Sequence, residues 1–242
     1  MVKEKTVSFK RTDYDLPLFM MEAVKNIAEH FSIKRNKIYV TDFLQVFKRS
    51  KFWKVKNLEE DLKKWKLSFE ASHKDRTILS DIIVDSFIQC TSKVEINQLR
   101  GALLEAILIG AKGGFKNIDT RDESKRGWGA RVFLQKNKNG VIYNCTEHLE
   151  NSCATRSTVD YGEWNGHHGQ FFECKVSPES IGCKEVKYMQ FLKSQLKSHE
   201  ISHEIFFLCA ESQFNIELKL EEHKLGPLFK PLGREDISRM LA

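Results

Sequence analysis

Apolar residues at Leu18, Met21, Val24, Ile27, Ala28 and Phe31 recur every three or four positions, which predicts an amphipathic helix over residues 16–31. Residues 1–13 are polar and basic and read as a strand or a loose arm. Ile38-Tyr39-Val40 is short and β-favouring, and Thr41 or Asp42 is placed to cap a helix running through Phe47. Asn57 precedes LEEDLKKWKLSF, acidic early and basic late as the helix dipole favours, and residues 70–80 form a polar connector. Residues 78–90 are apolar, with Asp81 and Asp85 four apart on one helical face, an exposed stripe in preference to a metal pair. From Glu95, Leu99, Leu103, Ala106 and Ile107 line one side of a long helix stopped at Gly113-Gly114.

Further on, the period shortens from helical to strand-like. Residues 129–135 and 140–145 read as strands around a turn ending in Asn139-Gly140. The stretch STVDYGEWNGHHGQFFECKVS reads as two strands joined by a tight turn, since Tyr161, Trp164, Phe171, Phe172 and Val176 suit a pleated surface and Asn-Gly-His-His-Gly interrupts them. Ser180 then caps a helix in which Val186, Met189, Phe191, Leu192 and Leu196 alternate with Lys184, Lys187, Lys193 and Lys197. Ile205 to Cys209 is the continuous apolar run of a strand buried on both faces. Phe214 to Leu218 adds a strand or short helix, and Asp236 caps a final turn.

Composition narrows the class. The chain has 242 residues, 41% hydrophobic and 30% charged, enough for one large or two small domains with real cores. A soft boundary near residues 90–96 predicts a basic, mainly helical accessory region over 1–92 and a second domain over 93–242. No apolar run reaches the ~18 residues of a membrane span, and the N-terminus lacks a signal peptide's apolar core. A cytoplasmic protein with no membrane partner is expected. Its six cysteines form no C-x-x-C pair, which argues for reduced thiols over a zinc site. The net charge of +6 is compatible with a polyanion without requiring one.

The hairpin carries the chemistry. With a two-residue loop at His167-His168, Asp160 falls opposite Lys175 and Gly162 opposite Glu173. Glu173 and Lys175 share a face because side chains alternate along a strand, Cys174 points away, and Asp160 joins the pair from across the ladder. Two neighbouring carboxylates repel unless a cation separates them or one is protonated. A few oxygen ligands that leave waters in place suit Mg²⁺ or Mn²⁺, and a nearby Lys orients a metal-bound water or neutralises a phosphate.

The order Asp160, a dozen residues, then Glu173-Cys174-Lys175 on the next strand resembles the PD-(D/E)xK nuclease superfamily, with Val159 where many members have Pro. The resemblance covers residues 95–212. It implies an α+β, restriction-endonuclease-like αβββαβ core, a mixed central sheet flanked by helices. It further implies a divalent-metal-dependent DNA nuclease in restriction, anti-phage defence or repair, with RNA not separated from DNA by these residues. Asp160, Glu173 and the Cys174 carbonyl would ligate the metal and Lys175 would position the attacking water. Glu105, set in an apolar helix where a lone carboxylate is costly, matches the superfamily's helix Glu, or lies at the helix edge paired with Arg100 or Lys112. Gln190, close to Tyr188, falls where relatives carry a Gln. Cutting both strands calls for a homodimer or a larger complex. The alternative is a catalytically silent nuclease-fold subunit that binds nucleic acid or a protein partner. Asp160→Ala or Glu173→Ala is expected to abolish cleavage and leave folding intact.

Outside the hairpin, residues 34–56 carry eight Lys or Arg against Asp42 alone, with Phe47, Phe52 and Trp53 interleaved. Lys48, Arg49, Lys51 and Lys54 are the candidate phosphate contacts, and a solvated basic face over a local core is the competing reading. His148, His167 and His168 are candidate bases or ligands, or solvated loop side chains, with His167 at the turn placed to touch a phosphate. Asp119 to Lys125 is a charged loop.

Overall fold

A computed structural model describes residues 6–12, 16–33, 39–71, 76–116, 118, 122–135, 139–145 and 155–241. Their contacts group the chain into two compact units. One is helical, built on residues 16–115 with 210–213 and 233–242; the other holds the sheet, from residues 1–15, 116–209 and 214–232. This differs from a single cut near residue 92: the helix from Lys93 groups with the helices before it, and the N-terminal strand groups with the sheet.

In the helical unit, α1 (Leu18–Ser32) buries Val24, Ile27, Ala28 and Phe31 of the expected stripe, but Leu18 is exposed and Met20 is buried more deeply than Met21. The short α2 (Val40–Phe43) and α3 (Gln45–Ser50) follow, so Tyr39-Val40 opens a helix where a strand is expected, because Val40 and Phe43 bury on one helical side. Then come α4 (Leu58–Glu70), α5 (Thr77–Phe87) and α6 (Lys93–Ala111). Ser92 caps α6 by accepting from the Glu95 amide at 3.1 Å. The α6 helix packs along α1, where Gly110 lets the backbones approach: a Cβ there would sit 2.8 Å from the Phe31 Cβ. Asp81 of α5 is ion-paired to Lys66 of α4, consistent with the stripe reading.

The sheet unit contains β1 (Val7–Arg11), β2 (Arg126–Leu134), the two-residue strands β3 (Tyr143–Asn144) and β4 (Thr155–Arg156), β5 (Thr158–Trp164), β6 (His168–Lys175), α7 (Cys183–Ser198), β7 (Ser202–Cys209), α8 (Gln213–Glu222) and β8 (Lys230–Leu232). Six strands form one mixed sheet in the order β1-β2-β5-β6-β7-β8. The first three pairings are antiparallel, and β6-β7 and β7-β8 are parallel. β3 pairs with β4 in a separate ribbon instead of extending a hairpin with β2. The expected turn beside it, at 136–138, lies outside the described residues. β7 is central and its last five residues are buried, as its unbroken apolar run predicts. Gly182, not Ser180, occupies the N-cap of α7, because Pro178 starts a single 3-10 turn that uses up Ser180. Residues 213–222 form helix α8, with Ile216 and Leu220 buried at four-residue spacing. The chain ends in α9 (Arg234–Leu241), which returns to the helical unit against α6 and α2. No helix among the described residues is long and apolar enough to cross a membrane.

Candidate functional site

The β5-β6 hairpin turns one residue earlier than expected. Gly166, at φ +100°, takes the first central position, and Asn165 accepts from the amides of His167 and His168 at 2.9 and 2.8 Å. The pairs are Tyr161 with Phe172 and Gly162 with Phe171, two residues out of the expected register. A two-residue slip preserves the face, so Asp160 stays with Glu173, now level with it instead of with Lys175. The Asp160 Oδ2 accepts from the Cys174 amide at 2.7 Å, which fixes one end of that carboxylate on the β6 backbone.

Five charges meet here. Glu173 is wholly buried, its Oε1 accepts from Lys175 Nζ at 2.6 Å, and its Oε2 is paired with Arg156 Nη2. The same nitrogen lies 3.3 Å from Asp160 Oδ1, so one guanidinium corner bridges both acids. The other corner, Nη1, lies 3.3 Å from Glu185 Oε1, which is also 3.6 Å from Lys175 Nζ. Glu185 is held at the start of α7 by accepting from the Gly182 amide at 3.2 Å. The buried Tyr188 ring, one turn along, lies 5.9 Å from the Arg156 guanidinium carbon.

Electrostatics follow from three acids against two cations in a dry place. Burial, then the like charge of Asp160, push Glu173 up to about 7, although Lys175 and Arg156 pull the other way. Lys175 and Arg156 are penalised by burial, yet Glu173 and Asp160 more than offset it and hold both firmly protonated. Burial raises Glu185 too, but Lys175, its own backbone amide and Arg156 outweigh that and leave it below the ordinary carboxylate range.

The expected residues distribute unevenly. Asp160, Glu173, Lys175 and the Cys174 main chain come together. Glu105 is half-buried on α6, in the helical unit. His167 is exposed in the turn, beyond the far end of β6; His168 is five residues from Glu173, about 17 Å at ~3.3 Å per strand residue, so His167 cannot assist at the acids. His168 bonds Ser202 at 2.8 Å and lies 3.3 Å from Glu204. From α7, Glu185 and Tyr188 reach the cluster in place of Gln190. Lys48, Arg49, Lys51 and Lys54 are all exposed in the helical unit, while Phe47 and Trp53 beside them are buried. Lys34, Arg35, Lys37, His148 and the first part of the charged loop at 119–121 lie outside the described residues.

Arg156 and Glu185 were missed by sequence reasoning. The signal that could have found Glu185 is its position three residues after Gly182, facing back along the helix start; for Arg156 it is the even spacing of four residues to Asp160 along a nearly continuous extended run. Their arrangement gives Glu173→Ala an expected cost in folding as well as in chemistry, because it would strip two buried cations of a partner.

A divalent metal fits this site in one respect and is displaced in another. Asp160 and Glu173 present hard oxygens to a common point, which suits a cation that keeps most of its waters. In this arrangement that point holds a guanidinium nitrogen, and among the described residues no group of three His, Cys, Asp or Glu is assembled to hold a metal.

No protein-family model matches the chain, and no curated protein matches it. Among solved structures, the crystal structure of protein VC1899 from Vibrio cholerae aligns with a TM-score of 0.40 at 10% identity, over 99% of this chain and 60% of that one. The chain thus spans about 60% of the length of that protein, and a likeness this remote assigns neither family nor activity.

Proposed function

We propose that the chain is a divalent-metal-dependent nuclease acting on DNA, with a restriction-endonuclease-like core made of β2, β5, β6, α7 and β7. The observation that carries this reading is the convergence of Asp160 and Glu173 on one cationic nitrogen, with Lys175 bonded to the same Glu173. Topology supports it: three antiparallel neighbours are followed by a helical connection into a strand parallel to the third. Asp160 and Glu173 would hold the metal, which when bound supplies Lewis-acid polarisation of the phosphate and a more acidic water. Lys175, whose charge its acidic neighbours favour, would orient the water and neutralise charge developing on the phosphate. Glu185 positions Lys175 and Arg156.

The test is purified protein with supercoiled and linear DNA in Mg²⁺, Mn²⁺ or EDTA, beside Asp160→Asn and Lys175→Met variants checked for wild-type melting. Metal-dependent cleavage by the wild type alone is expected; cleavage in EDTA, or by both variants, defeats the assignment. A second reading, a silent nuclease-fold subunit, is favoured by Arg156 already neutralising the acids. The two part on Arg156→Met: if the acids form a metal site, Mg²⁺ raises the melting temperature of this variant by mass action, and if the cluster is structural it does not.

A further inference from the structure

In the helical unit, Phe52 stands 76% exposed while the residues around it are anchored. Trp53 is buried edge-on against Phe87 at 5.0 Å and Trp65 at 6.4 Å. The Lys93 ammonium donates to the carbonyls of Lys51 at 2.8 Å and Trp53 at 3.0 Å, one on either side of Phe52. The Phe52 amide closes a turn onto the Arg49 carbonyl at 3.1 Å. The backbone beneath the ring is therefore clamped from both sides, and the ring projects from a fixed turn instead of folding into the core its neighbours fill.

Along this segment the charge has one sign. Residues 45–57 hold five Lys or Arg and no Asp or Glu. Lys48, Arg49, Lys51, Lys54 and Lys56 are exposed, so none is consumed by burial. The Lys93 ammonium is held below its ordinary range chiefly by burial, with smaller contributions from Arg100 and Lys54. A rigid, outward aromatic among cations matches a ligand with flat apolar faces strung on a polyanionic backbone. In a duplex those faces are stacked away, leaving phosphates, sugars and base edges but no open face for a ring.

We infer that Phe52 is a base-stacking platform and that Lys48, Arg49, Lys51 and Lys54 bind the flanking phosphates, so that this segment takes single-stranded nucleic acid in preference to duplex. The inference rests on the reading of the chain as a nucleic-acid enzyme but not on its metal site. Binding is therefore measured in EDTA, where cleavage and metal play no part.

The probes are fluorescein-labelled dT12 and a hairpin duplex of the same length, followed by anisotropy with the full chain at several salt concentrations. Phe52→Ala is expected to weaken dT12 binding roughly tenfold, the effect of losing one stacked base, and to leave the duplex unchanged. Phe52→Trp restores dT12 binding. Lys51→Gln/Lys54→Gln lowers affinity for both probes and makes the salt dependence shallower by about 0.7 per lost phosphate contact on the single strand. Equal dT12 affinity for Phe52→Ala and wild type overturns the inference, as does equal weakening of both probes. Absence of binding to either probe overturns it too, and a nuclease that still cleaved would then engage its substrate elsewhere.

Discussion

The buried charge cluster of the sheet unit and the basic segment of the helical unit use the same chemical groups under opposite conditions. At Glu173, with no exposed side-chain surface, every charge has found a partner: Arg156 spans three carboxylates and Lys175 two. Around Phe52 the cations remain in water, where pairing is worth little and is not required for folding. Desolvation makes the difference, since an unpaired buried charge costs several kcal/mol and a solvated one costs almost nothing. Folding and chemistry are therefore coupled in the first region and separable in the second.

The sharpest way to break that contrast is Arg156→Met. It leaves three acids facing Lys175 alone, and about 3–5 kcal/mol of stability is expected to be lost in urea unfolding at pH 7. A loss below about 1 kcal/mol would place the cluster with ordinary surface charge. Next comes pH. Glu173 titrates at about 7 in the folded protein because of burial and Asp160, against an ordinary 4.5 when unfolded. The folded state thus keeps a proton that the unfolded chain has released. Glu173's contribution is whole below about pH 4.5 and is lost as pH rises through about 7, by about 3 kcal/mol at 1.36 kcal/mol per unit. Glu185, shifted down, acts in the opposite sense: its contribution is present above the ordinary carboxylate range and is lost as pH falls below it. Denaturant midpoints between pH 5 and 8 should fall for the wild type relative to Glu173→Gln, and parallel curves would mean that Glu173 stays ionised throughout. The smallest effect belongs to the basic segment. Changing Lys48, Arg49, Lys51 and Lys54 together to Gln is expected to move stability by no more than about 0.5 kcal/mol per site. Nucleic-acid affinity and its salt slope should drop markedly in that variant; a marked loss of stability would show that these cations also serve the fold.

Legibility followed the range of the forces. Local signals held: the burial of Val24, Ile27 and Phe31 in α1, the run of β7 and the existence of the β5-β6 hairpin are written in neighbouring residues. The pairing of Asp160 with Glu173 survived a wrong register because a slip of two residues returns each side chain to its own face. Tyr39-Val40 misled because a three-residue β-favouring run weighs less than the burial of Val40 and Phe43 on one helical side. His167 stands apart from the acids because closeness in sequence to the motif is distance along an extended strand.

By itself the sequence determined most of the helices and strands, the face shared by Asp160, Glu173 and Lys175, and the one-signed charge of residues 45–57, because each depends on spacing of a few residues and on side-chain chemistry. Tertiary structure alone decided that Arg156 stands between the acids, that Glu185 arrives from α7, and that Phe52 faces water while Trp53 does not. Those outcomes depend on which distant elements pack together and on the rule that a charge removed from water must meet another, and no local pattern along the chain records either.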